Sequence, residues 1–236
     1  MKRFNLNLDS DIKVLLPDGS AHRLIDYLLP SATLMIAALL LMISMFLPYW
    51  RMKLYAPQYP NGLAVNVYVN HLEGDMREVD ELNHYLGMPI LDEGGRLERS
   101  ISYYGIAVLG LLLIAGVFVH NRWAALIALP AIIYPLIFVA DLYLILYQYG
   151  HSIDPKSALG GAIKQFTPPL MGLGTIGQFN TFSSFQPGFF FSLAAVAAVF
   201  LSLWLHRAAY KPLADARKRV RLAASQPSPA VPQEHA

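Results

Sequence analysis

The chain has 236 residues, of which 55% are hydrophobic and only 14% are charged, and its mean hydropathy is +0.40. These values exclude an ordinary soluble domain and predict an integral membrane protein, because several apolar runs are long enough to span a bilayer. The net charge of +2 does not indicate a nucleic-acid partner, and the absence of cysteine excludes disulfides, thiolate nucleophiles and thiolate metal sites.

Four apolar runs predict a mainly α fold, a bundle of four transmembrane helices. The predicted spans are residues 31–50, 101–119, 123–148 and 188–206, with tails at 1–30 and 207–236. Trp50, Trp123 and Trp204 all fall at predicted span ends, where amphipathic rings belong. Within the tails, we expect a turn at Pro17–Gly19, a short interfacial helix at Ser20–Leu29, a helix at Arg207–Leu222 and then disorder.

The distribution of Lys and Arg predicts the orientation. Eleven of these residues lie on the side of the two tails, against seven in the two long connecting loops, 51–100 and 149–187. Because basic residues near span ends favour the cytoplasm, we expect a multi-pass protein of the bacterial inner membrane with both termini cytoplasmic. The two long loops would then face the periplasm.

The first long loop predicts a small domain of one strand and one short helix. Leu63, Val65, Val67 and Val69 alternate with polar or small residues, a pattern typical of a half-buried strand. Asp75 and Glu78 have the spacing of a capping box, and Gly87 followed by Pro89 indicates a helix end. The apolar stripe of that helix consists of Val79, Leu82 and Leu86.

A second line of side chains on this helix carries the candidate metal site. Met76, Asp80, His84 and Met88 follow at four-residue steps, and His71 lies in the turn before them. Imidazole and thioether donors without thiolate suit Cu(I) better than zinc or a hard cation, so Cu(I) is the candidate metal, with His84 and Met88 as the candidate ligands and His71 and Met76 as further candidates. Asp80 is expected to orient the His84 imidazole. The alternative is that the methionines only fill gaps and His84 is a polar surface residue.

The second long loop is rich in Gly, Pro, Phe and Thr. Its aromatic side chains need burial, so we expect it to fold back onto the first loop or into the mouth of the bundle. The many glycines and the pair Pro168–Pro169 predict a fixed irregular path with little regular structure.

Asp141 is the one carboxylate expected inside a predicted span. An ionisable residue there costs roughly 2.5 to 3.5 kcal/mol at the centre of a helix and is a functional candidate by default. The interpretation we favour is a hydrated or tyrosine-bonded anchor for the loops, and the alternative is a proton or ion pathway.

Aromatic residues in the loops suggest a docking surface, with the core of the loop domain as the alternative. The candidates are Tyr55, Tyr59, Tyr68, Tyr85, Phe166 and Phe179. No nucleotide-binding, hydrolase or metalloprotease motif is present in the sequence, so we do not expect an enzyme.

Four stretches resemble a family of small four-span bacterial inner-membrane proteins encoded beside copper-enzyme maturation genes, notably those for periplasmic nitrous oxide reductase. They are APQYPNGL (56–63), GDMREVDELNHYLGM (74–88), FTPPLMG (166–172) and FNTFS (179–183). The resemblance implies a role in copper handling or assembly, with His84 and Met88 in its most distinctive run and a periplasmic copper protein or copper chaperone as partner.

The sequence therefore leaves two alternative functions, of which we favour the first. The first is a membrane accessory protein that binds Cu(I) transiently through the first loop. The second is a structural subunit that docks a periplasmic partner through both loops without any metal.

Overall fold

The computed structural model describes residues 13–15, 21–119, 123–176 and 179–225. The described residues contain four long helices, α1 (Leu24–Ser44), α3 (Arg96–Gly116), α4 (Trp123–His151) and α5 (Pro187–Ser225), and one short helix, α2 (Met76–Leu86). Each of the four is long and apolar enough to cross a membrane, as expected for a membrane protein. The prediction of four such helices is confirmed.

The chain divides into two compact units, residues 1–33 with 200–236, and residues 34–199. In the first unit, strands β1 (Lys13–Leu15) and β2 (Ala21–Arg23) pair in antiparallel fashion. The Ser202 hydroxyl donates a hydrogen bond of 2.7 Å to the Pro30 carbonyl oxygen. The rest of the description concerns the second unit.

The helix ends differ from those predicted. α1 follows β2 directly and contains Pro30, so the separate interfacial helix at Ser20–Leu29 is wrong. α5 continues as one helix through Pro212, which joins the last predicted span to the helix expected at Arg207–Leu222. The turn at Pro17–Gly19 and the tail after Ser225 lie outside the described residues.

Five strands form one antiparallel sheet in the order β5-β4-β3-β7-β6. Their bounds are β3 (Trp50–Ala56), β4 (Tyr59–Val67), β5 (Leu72–Gly74), β6 (Gly172–Ile176) and β7 (Phe179–Phe185). The central strand β3 pairs with β4 on one side and with β7 on the other, so both long connecting segments contribute to the same sheet. We call this sheet together with α2 the sheet module.

The second connecting segment folds back onto the first, as predicted, but the expectation of little regular structure was wrong. Along β7, Phe179, Thr181 and Ser183 are buried and the residues between them are exposed, which is the two-residue period of a strand. The many glycines of the segment concealed this pattern. Gly174 itself lies against the ring of Pro169, where a side chain would not fit.

One face of the sheet is the core of the module. Met52, Leu54 and Val65 are buried there, and α2 packs its predicted stripe against them through Val79 and Leu86. Trp50 belongs to this core and was misinterpreted as an interfacial ring. It is only 2% exposed, and its Nε1 donates a 2.7 Å hydrogen bond to the Leu170 carbonyl oxygen.

Candidate functional site

The start of α2 is fixed by the sheet and not by a capping box. Asp75 is the residue before the helix, as predicted, but its carboxylate makes no capping hydrogen bond. It instead accepts a 2.8 Å hydrogen bond from the Ala64 N–H, while the Asp75 N–H donates to the Ala64 carbonyl oxygen at 2.9 Å. The competing N–H of strand β4 therefore explains why the capping box does not form.

The end of α2 separates two of the predicted copper ligands. Gly87 has a left-handed backbone with φ of +76°, and the Met88 N–H bonds the Asn83 carbonyl oxygen at 2.8 Å. The chain thus leaves the helix before Met88, which packs against the core cluster around Leu86. His84 stays on the helix and is exposed, so the two side chains lie in different surroundings.

The other two candidate ligands also have different contacts. Met76 packs against the cluster formed by Leu63, Val65 and Val79. The exposed His71 ring stacks on Tyr68 with 4.3 Å between centroids, and its Nδ1 lies 2.8 Å from Asn70 Oδ1.

The carboxylate expected to orient His84 has a different partner. Asp80 Oδ1 accepts a 2.8 Å hydrogen bond from the Leu91 N–H and so stabilises the turn after α2. Among the described residues, no group of three or more His, Asp or Glu side chains is placed to hold a metal ion.

The carboxyl end of α2 is bound by the segment between α4 and α5. The Leu159 N–H donates to the Tyr85 carbonyl oxygen at 3.0 Å, and the Asp154 N–H donates to the Gly87 carbonyl oxygen at 2.8 Å. Two carbonyls that a helix end leaves without partners are satisfied in this way. The helix that carries His84 is therefore held by both connecting segments.

The face of the sheet turned away from the core carries exposed apolar side chains. Leu173 is 81% exposed, Phe182 44% and Tyr55 38%. Leu173 and Phe182 are paired in register, and Phe182 is also in register with Lys53, whose Nζ lies 5.3 Å from the centre of the Tyr55 ring. We call Tyr55, Leu173 and Phe182 the sheet patch.

The aromatic residues predicted for docking divide between surface and core. Tyr55 and Tyr85 are exposed, whereas Phe179 is buried and Tyr59 and Phe166 pack against the core cluster. Tyr68 is half-buried, and a hydrogen bond to Glu73 raises the pKa of its hydroxyl. The sequence analysis expected Phe182 to be buried, which is wrong, and it did not consider Leu173. The alternation of these two residues with Gly172, Gly174 and Thr181 was the available signal.

A cavity of about 270 Å³ lies between the core face of the sheet, α2, α3 and α4. Asp141 lines it, together with Tyr134 from the same helix. The sequence analysis missed further polar residues of its wall, among them Asn83, Glu98 and Arg99. Asn83 could have been found, because it lies four residues after Val79 and three before Leu86 and so continues the buried stripe.

The comparisons with known proteins give no identification: the chain matches no family model, no curated protein and no solved structure.

Proposed function

We propose that the protein is an accessory protein of the bacterial inner membrane, without enzymatic activity, that docks a periplasmic partner through its sheet module. The partner expected from the sequence resemblance is a copper protein or a copper chaperone. The single observation that carries the proposal is the sheet patch, because Leu173 is 81% exposed on the face of the sheet that is turned away from the core. Exposed apolar patches of this kind mark interaction sites.

The surroundings of the patch favour a particular partner chemistry. Lys53 lies beside Phe182 in the sheet, and Arg51 follows on the same face in register with Ser184. Two cations next to an apolar centre fit a partner surface with an apolar centre and acidic residues around it, because complementary charge steers association.

Site-specific photo-crosslinking tests this proposal. A photoreactive residue at position 182 is expected to capture a periplasmic protein in cells, whereas one at the exposed Leu159 of the same unit is expected not to. Leu173→Asp should reduce the yield from position 182, because a carboxylate would lie in the apolar centre of the interface. Equal labelling from positions 182 and 159, or a cytosolic captured protein, would refute the docking proposal.

A transient Cu(I) site remains a second, narrower proposal, and it rests on the sequence resemblance. What supports it here is the exposure of His84 on a helix held in place by both connecting segments. Met76 and Met88 pack in separate clusters, so we propose His84 as the principal donor of this chain, with further ligands supplied by a partner. His71 is the matched control, because it is equally exposed.

The corresponding test is a Cu(I) titration of the purified protein with competing chelator. We expect His84→Ala to weaken Cu(I) binding in the presence of the captured partner and His71→Ala to leave it unchanged. Identical affinities for the wild type and both variants would remove the copper proposal and leave the docking proposal intact.

A further inference from the structure

The cavity beneath the sheet has a long stretch of α4 in its wall. Its lining on α4 extends from Tyr134 to Tyr149, which is about 22 Å along a helix axis. The walls are mostly apolar, with Met52 and Val65 from the sheet and Phe138, Leu142 and Leu146 from α4. Its volume of about 270 Å³ is slightly below the range for ligand pockets, about 300 to 1,000 Å³.

The cavity wall is continuous with the surface that α3 and α4 would present to lipid. Ile101 of α3 and Ile137 of α4 both line the cavity, and they are 58% and 59% exposed. Both belong to helices apolar enough to cross a membrane. A hydrocarbon chain can therefore enter from the bilayer between these two helices without crossing water.

Two carboxyl groups give the cavity a net negative lining. Glu98 and Asp141 both line it, and neither carboxyl has a hydrogen-bond or ion-pair partner among the described residues. The nearby guanidinium of Arg99 does not neutralise them, because its Nη2 is bound to Asp92, by 2.6 Å to the carbonyl oxygen and 3.3 Å to Oδ1. Carboxyl groups without partners in a mostly apolar cavity can accept charge-assisted hydrogen bonds from a cationic ligand group.

Two buried donors in the same wall also lack acceptors. Asn83 is only 4% exposed, and its Nδ2 has no partner in the part of the chain that the structure describes. The Nη1 of Arg99 is likewise buried without a partner there. Buried donors are nearly always satisfied, so these two N–H groups have room for oxygen acceptors from outside the described chain, which ordered water or a bound ligand can supply.

We propose that this cavity binds one hydrocarbon chain and the headgroup of an aminophospholipid. The ammonium group donates hydrogen bonds to Glu98 and Asp141, and phosphate or ester oxygens accept from Asn83 and Arg99. The apolar wall along α4 holds the chain. The site is independent of the sheet patch and of the copper proposal.

Trp50 makes this proposal measurable, because it lines the cavity while Trp123 and Trp204 are 55% and 67% exposed. The variant Trp123→Phe, Trp204→Phe leaves Trp50 as the only tryptophan, which is excited selectively over the tyrosines. It is reconstituted in vesicles that carry the same fraction of brominated chains on phosphatidylethanolamine, phosphatidylcholine or phosphatidylglycerol. Bromine quenches tryptophan only at short range, so quenching reports a chain in the cavity.

We expect the ethanolamine lipid to quench Trp50 with an apparent affinity about tenfold higher than the choline lipid, which carries the same charges but cannot donate a hydrogen bond. In that background, Glu98→Gln and Asp141→Asn should each reduce the preference, whereas the exposed Glu81→Gln should retain it. Unfolding in detergent verifies that each variant is folded, and native mass spectrometry of the purified wild type should find the ethanolamine lipid retained.

Three results would overturn the proposal. Equal quenching by all three lipids would mean an open crevice without headgroup recognition. Stronger quenching by phosphatidylglycerol would mean that the carboxyl groups do not select a cation. Absence of quenching would mean that no lipid chain reaches Trp50.

Discussion

Replacing Gly87 with alanine tests the geometry that separates His84 from Met88. Gly87 has φ of +76°, where an L-residue costs about 1 to 2 kcal/mol. The added Cβ would also lie 2.6 Å from the Asp154 carbonyl oxygen and would collide with the Ser157 hydroxyl. Relief of that collision disrupts the 2.8 Å hydrogen bond from Asp154 N–H to Gly87, worth about 0.5 to 1.5 kcal/mol.

Together these effects predict that Gly87→Ala lowers the free energy of unfolding by about 1.5 to 3.5 kcal/mol. The assay is unfolding by SDS in mixed micelles, followed by tryptophan fluorescence. Gly161→Ala is the matched control, because its Cβ would meet only the Pro155 carbonyl oxygen at an ordinary 3.5 Å. If the helix instead ran on through Gly87, with His84 and Met88 on one ridge, alanine would stabilise it by about 1 kcal/mol. Stabilisation would therefore refute the reasoning.

Three further variants test the packing of the module and are measured by the same unfolding assay. Trp50→Phe leaves the Leu170 carbonyl oxygen without its donor and should cost about 1 to 3 kcal/mol, and an unchanged midpoint would contradict this. Thr181→Val removes a buried hydroxyl that has no partner among the described residues, so it should raise the free energy of unfolding. Thr175→Val, at an exposed position, should change that free energy little. Burial raises the pKa of Tyr49, so the stability it contributes is complete below pH of about 10 and is lost as the pH rises towards the folded-state pKa. Tyr49→Phe should therefore reduce the loss of stability at alkaline pH. Parallel curves of unfolding free energy against pH for the variant and the wild type would exclude the effect.

Local patterns in the sequence predicted the elements that depend on neighbouring residues. The alternation at Leu63 and Val65 placed β4, and the stripe from Val79 to Leu86 placed α2, since both patterns follow directly from strand and helix periods. The four long helices followed from length and hydropathy. The pairing of β3 with β7 could not be found in this way, because the two strands are more than 120 residues apart and neither contains the signal for its partner.

The predicted line of side chains from Met76 to Met88 shows the limit of predictions from local sequence patterns. Four-residue steps place side chains on one face only while the helix continues, and α2 ends at Leu86. Met88 lies beyond the left-handed Gly87 and so has lost the helical period that linked it to His84. Gly87 correctly predicted the end of the helix. The same residue was therefore a reason to doubt that Met88 lies on one face with His84.

The polar residues of the cavity wall could not be grouped from the sequence, because they come together only in the tertiary structure. Glu98 precedes an apolar run and resembles an ordinary residue of a first helical turn, while Asp141 resembles an isolated charge within a span. Only the antiparallel packing of α3 and α4 brings both to one cavity, beneath a sheet that the sequence did not predict. Neither carboxyl group has a hydrogen-bond or ion-pair partner among the described residues. A chain that retains two such groups, with two unpaired donors nearby, is best explained by a ligand that satisfies all four.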